Sequence, residues 1–213
     1  SQIVASYFPK HSIAVLSGPN FAEEVSRNMP AATLIASNKI ATSKKIASIV
    51  QTKLFRPYVS DDVIGSQIAG ATKNVYAIAC GVVEGKKFGK NAVASIISRS
   101  FAEISRLNRS MKAKPETLSG LSGMGDLFLT CSSKKSRNFK LGLDLASGMS
   151  LSSIVKKNSS IAEGVFTARA LKQMSLKKKL NLPIAETVYR ILYRKKNIDH
   201  AIEELLNRPI GRE

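Results

Sequence analysis

The apolar pattern of this sequence changes period once, at Ile64, and that change limits the fold more than any other feature. Ahead of it lie three short apolar runs, at 12–17 (SIAVLS), 32–36 (ATLIA) and 53–59 (KLFRPYV), separated by helical spacing over 21–27 and 41–51. Strand, helix, strand, helix, strand is an α/β signature. Gly18 and Pro19 close the first run as a turn, and Pro57 marks the third as an edge or irregular strand. So short an α/β piece reads as the end of a larger sheet. Beyond Ile64 only helical spacing remains. Residues 64–84, IGSQIAGATKNVYAIACGVVE, place Ile68, Val75, Ile78 and Val82 on one stripe. Further helices are expected at 91–107, with Asn91 as its cap, and near 123–131, 136–147, 151–157, 164–180, 184–194 and 198–207. Pro183 suits a helix start and Gly148 a helix stop. The predicted fold class is therefore α/β plus all-α, with a partial α/β domain over 1–62 and a helical domain over 63–213.

Composition excludes several classes of function. Of the 213 residues 44% are apolar, ample for a core, yet none of the apolar runs reaches the 18 or more that a transmembrane helix needs. No secretory leader is recognisable at the amino terminus. Cys80 and Cys131 show no metal or disulfide spacing and suit buried thiols in a reducing, cytoplasmic setting. With only two histidines, His11 and His200, a histidine-based metal site or nucleophile triad is disfavoured, and no metal is expected. The net charge of +18 raises nucleic acid or an anionic membrane as partner. Eleven Lys and Arg lie between Lys156 and Lys196. They alternate with apolar residues along helices, so solvated basic faces account for them better than specific nucleic-acid binding does.

Four constellations can carry chemistry. Lys73, followed by Asn74, sits mid-helix among small neighbours (Ser66, Ala69, Gly70, Ala77, Cys80), where a ligand could approach or where helices could simply pack tightly. Gly18-Pro19-Asn20-Phe21-Ala22 is a strand-to-helix turn whose N–H groups could face an anion. In LSGLSGMGDLFLT, glycines 120, 123 and 125 bring backbone close to some partner just before Asp126. Local sequence favours Asp126 as a helix cap and leaves an ion pair with Lys73 as the alternative. Ser136-Arg137-Asn138 places a guanidinium and two short hydrogen-bonding side chains at a helix start, a sound phosphate grip or an ordinary capped helix.

Read in order, GPNFAEE, GATKNVYAIACG, GLSGMGDLFLTC, SRN, AEGVFTA and PIAETVYRILY resemble the NAD(P)-dependent glycerol-3-phosphate dehydrogenases of the bacterial type, from about Ile13 to about Leu205. The resemblance implies that residues 1–62 are the C-terminal part of a Rossmann-type dinucleotide-binding domain and that 63–213 form a helical substrate-binding domain. It implies reversible hydride transfer between NAD or NADP and dihydroxyacetone phosphate, giving sn-glycerol 3-phosphate. Lys73 matches the family's proton-transferring lysine, and Asp126 the aspartate of its site. Gly18, Asn20, Asn74, Thr130, Ser136, Arg137 and Asn138 match substrate-side positions. Ala22, Arg137, Ile161 and Glu163 match cofactor-side positions. A homodimer is left open.

The sequence also departs from the family. No G-x-G-x-x-G occurs, nor the residue some 20 positions later that separates NAD from NADP, so roughly a hundred residues look missing. The chain alone is expected to bind NADH or NADPH poorly and not to turn over. Asn20 stands where Ser or Thr is usual, and Lys86, Lys87 and Lys90 make an unusually basic loop. Two other readings remain: a basic helical module for nucleic acid or anionic membrane, and a related 3-hydroxyacid dehydrogenase, which would have less need of Arg137.

Overall fold

The computed structural model describes residues 1–157 and 161–210. A three-stranded sheet, β1 (Val15–Ser17), β2 (Ala31–Ala36) and β3 (Phe55–Ser60), has the order β1-β2-β3. Helices α1 (Gln2–Tyr7), α2 (Ala22–Ser26) and α3 (Ile40–Val50) accompany it. All later regular structure among the described residues is helical: α4 (Val63–Gly85), α5 (Lys90–Ser110), α6 (Pro115–Ser119), α7 (Asp126–Ser132), α8 (Arg137–Ala146), α9 (Leu151–Lys157), α10 (Glu163–Lys178), α11 (Pro183–Arg194) and α12 (Ile198–Leu206). A short sheet followed by helices is the α/β plus all-α class expected.

The sheet is mixed. β2 and β3 are parallel, with Ala31 opposite Phe55, and their connection contains the full-length helix α3. β1 runs antiparallel to β2, with Val15 opposite Ala36. Only the five-residue α2 separates β1 from β2, too little to carry a crossover back to a parallel start. The first strand is also shorter than the run 12–17. The Ser37 hydroxyl donates to the Ile13 carbonyl at 2.7 Å, so a side chain serves this stretch in place of the ladder. Pro57 lies in β3 at one end of the sheet, where a missing N–H costs little.

The chain divides into two compact units. The first comprises Ser1–Lys73 and Ile104–Thr130. Its core is built on Thr33, Ile35 and Ala36 of β2 and on Ile104, Leu107, Leu118 and Leu127, all buried. Each large aliphatic side chain among them contributes roughly 1.5–3 kcal/mol of burial. Asp62, which the sequence did not single out, immediately precedes α4. Its Oδ1 accepts from the Gly65 N–H at 2.9 Å and its Oδ2 from the Lys114 N–H at 2.9 Å. One carboxylate thus caps the helix and ties down a loop.

The second unit comprises Asn74–Glu103 and Cys131–Glu213. Between Asn74 and Val83, α4 is buried almost all round, so the single apolar stripe understates it: this is a core helix. Gly81 of α4 and Gly142 of α8 let these helices cross closely, since a Cβ at Gly142 would lie 2.8 Å from Gly81 Cα. Buried Glu103 of α5 accepts from Ile184 N at 2.6 Å, from Ala185 N at 3.2 Å and from the Tyr76 hydroxyl at 3.2 Å, so it caps α11. Pro183 opens that helix as expected, and Gly148, at φ 93°, follows the end of α8. Asn91 is no cap: α5 begins one residue earlier, at Lys90.

Candidate active site

In the first unit, the glycines of GLSGMGD shape the approach to Asp126. Residues Leu121–Gly125 form a wide π turn, closed by the Gly125 N–H donating to the Gly120 carbonyl at 3.2 Å. Gly123 packs against the Leu118 carbonyl with no room for a Cβ. Gly120 and Gly123 therefore approach the backbone of their own segment, and Gly125 faces the Pro19 ring. The turn delivers Asp126 as the first residue of α7, where a carboxylate also suits the helix dipole.

The Asp126 side chain does more than favour a helix start. Lys73 Nζ donates to both of its oxygens, at 2.6 Å each. The Thr130 hydroxyl donates to the Asp126 backbone carbonyl at 2.7 Å and lies 3.3 Å from its Oδ1. The carboxylate is 4% exposed and the lysine side chain 21%. Burial pushes the Asp126 carboxyl above the ordinary carboxylate range, and the Lys73 charge, the Lys73 hydrogen bond and Thr130 pull against that shift. Lys73 and Asp126 line an open cleft of 530 Å³ together with Leu16, Gly18, Asn20, Ser66 and Gly70.

The turn after β1 faces the same cleft. The Asn20 N–H donates to the Gly18 carbonyl at 2.8 Å, which tightens the turn. Gly18 is buried, and a Cβ there would lie 3.1 Å from both Asn20 Nδ2 and Thr33 Cα. Both polar ends of the Asn20 amide are buried without a hydrogen-bond partner among the described residues. Such an amide costs about 1–3 kcal/mol for each unsatisfied end, so it is suited to a partner the protein itself does not supply. Ala22 begins α2 and is exposed, with no polar contact of its side chain to offer.

In the second unit, Ser136 is the N-cap of α8, its hydroxyl accepting from the Phe139 N–H at 3.3 Å. Arg137 follows as the first helical residue, its side chain 61% exposed and its Nη2 3.5 Å from Glu163 Oε1. Asn138 is buried and donates from Nδ2 to Asn74 Oδ1 at 3.0 Å, while its Oδ1 accepts from the Gly164 N–H at 2.8 Å. Asn74 Nδ2 donates to Glu163 Oε2 at 3.1 Å. Asn74, Arg137, Asn138 and Glu163 thus form one polar cluster. Ile161 lies apart from these bonds and lines a 180 Å³ cavity with Arg137, Leu141 and Val165. Gly164 is the residue that sequence reading missed. It stands in the AEGVFTA motif, but nothing local says that its N–H has an acceptor on another helix.

A nicotinamide dinucleotide finds only part of its needs in these residues. An exposed arginine at a helix N-terminus suits one phosphate, and the 180 Å³ cavity beside it is small for two nucleotides. Among the described residues no cluster of His, Cys, Asp or Glu is arranged to hold a metal, and no helix is long and apolar enough to cross a membrane.

Residues 62–203 match the family model for the C-terminus of NAD-dependent glycerol-3-phosphate dehydrogenase, and residues 1–43 match the model for its N-terminus. The whole chain is 45% identical to the glycerol-3-phosphate dehydrogenase [NAD(P)+] of Parvibaculum lavamentivorans and 46% identical to that of Caulobacter vibrioides, spanning 64% of each. The crystal structure of the Coxiella burnetii glycerol-3-phosphate dehydrogenase superposes with a TM-score of 0.93 at 37% identity, over 97% of this chain and 64% of that one. A Saccharomyces cerevisiae glycerol-3-phosphate dehydrogenase superposes at 0.83 with 28% identity, over 94% and 62%. By the family model matched over 62–203 and by its curated relatives, the chain belongs to the NAD-dependent glycerol-3-phosphate dehydrogenase family.

Proposed function

We propose that the protein acts in reversible hydride transfer between NAD(P) and dihydroxyacetone phosphate, forming sn-glycerol 3-phosphate. The observation that carries this reading is the Lys73–Asp126 pair, with both carboxylate oxygens 2.6 Å from the ammonium, at a cleft that also holds the unsatisfied Asn20 amide. The bound cofactor supplies or accepts the hydride. Lys73 Nζ gives a proton to the ketone oxygen as that carbon is reduced, and takes it back from the alcohol in reverse. Asp126 holds the lysine in place. Arg137 takes the substrate phosphate, for which a guanidinium offers paired donors, with Ser136, Asn138 and Asn74 beside it on the substrate side. Ala22, Ile161 and Glu163, with Arg137, are the cofactor-side residues. A cytoplasmic setting goes with this reading, supported by two buried cysteines, Cys80 and Cys131, that form no disulfide.

The test is a titration of the ¹⁵N-labelled chain with sn-glycerol 3-phosphate and, separately, with glycerol. The phosphate ester is expected to shift the Arg137, Asn138 and Asn74 resonances, and glycerol to leave them in place. Equal responses to both ligands, or none to either, would overturn the assignment. Arg137→Ala is expected to weaken phosphate-ester binding at least tenfold.

A further inference from the structure

We propose that Gly164 is a positioning residue whose backbone N–H sets the direction of two side-chain amides, Asn138 and Asn74, so that Asn74 offers a donor to an anionic oxygen. The inference rests on the substrate-side reading of Asn74, Arg137 and Asn138.

The argument starts from what each group can do. Gly164 is the second residue of α10, and its N–H is among the helix-terminal donors with no acceptor in their own helix. It donates to Asn138 Oδ1 at 2.8 Å. A backbone N–H can only donate, so this bond fixes which end of the Asn138 amide is oxygen. Asn138 Nδ2 is thereby turned toward Asn74 and donates to its Oδ1 at 3.0 Å. With that oxygen engaged, the Asn74 amide presents Nδ2, which donates to Glu163 Oε2 at 3.1 Å. Asn138 and Asn74 are both only 6% exposed, so water does not compete freely for these orientations.

Only glycine fits at the head of this relay. A Cβ on Gly164 would lie 2.6 Å from Asn138 Oδ1 and 2.7 Å from the Asn74 carbonyl oxygen. Both neighbours are held, the second as helix backbone. An alanine would have to push the Asn138 amide aside and move the start of α10 away from the Asn74 backbone. The carboxylate of Glu163 now takes the donor that Asn74 presents. A phosphate or carbonyl oxygen has the same acceptor chemistry, and a ligand that offered only donors would be rejected.

Two variants test the relay in the labelled chain. Asn138→Asp keeps an acceptor for the Gly164 N–H but turns an acceptor toward Asn74, so the Asn74 amide must reverse. Its side-chain amide resonances are expected to shift in the ligand-free protein, and the affinity for sn-glycerol 3-phosphate to fall about tenfold. Gly164→Ala is expected to lower the affinity by a similar factor, with its helix content preserved. Should Gly164→Ala fail to fold, Asn138→Asp decides alone, because it is isosteric. Unmoved Asn74 amide resonances in Asn138→Asp, or an unchanged affinity in folded Gly164→Ala, overturn the relay. Arg137→Ala separates the two levels: if it leaves phosphate-ester binding intact, the substrate reading falls. If it abolishes binding while the relay variants bind normally, only the relay falls.

Discussion

At the scale of single residues, burial decides more than charge. Asp126 sits 2.6 Å from an ammonium, yet its carboxyl titrates above the ordinary range because the site withholds water from the ionised form. Its folded-state pKa exceeds its unfolded one, so the folded protein binds the proton more tightly. Its contribution to stability is therefore most favourable at low pH, below the unfolded carboxylate value of about 3.9, and is lost as pH rises through the raised folded value. Lys73→Met removes the main opposing influence and leaves a buried carboxylate alone. Breaking a buried pair from one side costs on the order of 3 kcal/mol. We expect a loss of that order at pH 7 in urea unfolding, shrinking as the pH is lowered and Asp126 takes up a proton. A loss independent of pH would mean that Asp126 is not the group left exposed to the change. In carboxyl ¹³C spectra the Asp126 titration should move further upward in the variant.

At the scale of elements, several helix ends carry lysine where backbone geometry favours glycine. Lys87, Lys112, Lys179 and Lys195 all have φ between 51° and 60°, the left-handed region. A side chain there costs about 1 kcal/mol, while a cation at a helix C-terminus recovers about 0.3–1 kcal/mol by facing the dipole. Lys179 follows α10 as its C-cap, where the Leu180 N–H donates to the Ser175 carbonyl at 2.9 Å. Lys179→Gly should gain about 0.5 kcal/mol, whereas Lys178→Gly, one residue earlier inside α10, should lose about 1 kcal/mol. Chemical denaturation midpoints moving in opposite directions would bear this out. A parallel fall in both would show that the left-handed position imposes no penalty. Helix ends such as Pro183 and Gly148 were legible because one residue fixes their backbone locally. The ending at Lys179 was not, because its left-handed turn is imposed by the return into α11.

At the scale of the whole molecule, the lysines at these helix ends contribute to the net charge of +18, and surface ion pairs engage several basic side chains without changing that net. Lys86 pairs with Asp199, Lys90 with Glu84, and Arg190 and Lys196 both with Glu204. Lysine and arginine still outnumber the acids, 33 to 15. Weak, sequence-independent retention on DNA is therefore expected at low salt and should vanish near 0.2 M, since exposed charges are screened within about 8–10 Å. Retention well above that concentration would revive the nucleic-acid reading.

The sequence by itself determined the class of most segments, the helices α1 and α6 excepted, and the family, and it named most residues proposed for the site. Turn residues, helical periods and ordered motifs are local properties of a chain. Only the tertiary structure decided the direction of β1, the choice of Lys73 over simple helix capping for Asp126, and the role of Gly164. Each depends on partners far apart in sequence. Lys73 and Asp126 meet because a glycine-rich π turn aims the carboxylate. Gly164 matters because α8 places an acceptor within 2.8 Å of its N–H. Periodicity specifies which face of an element is buried, and packing alone specifies what that face meets.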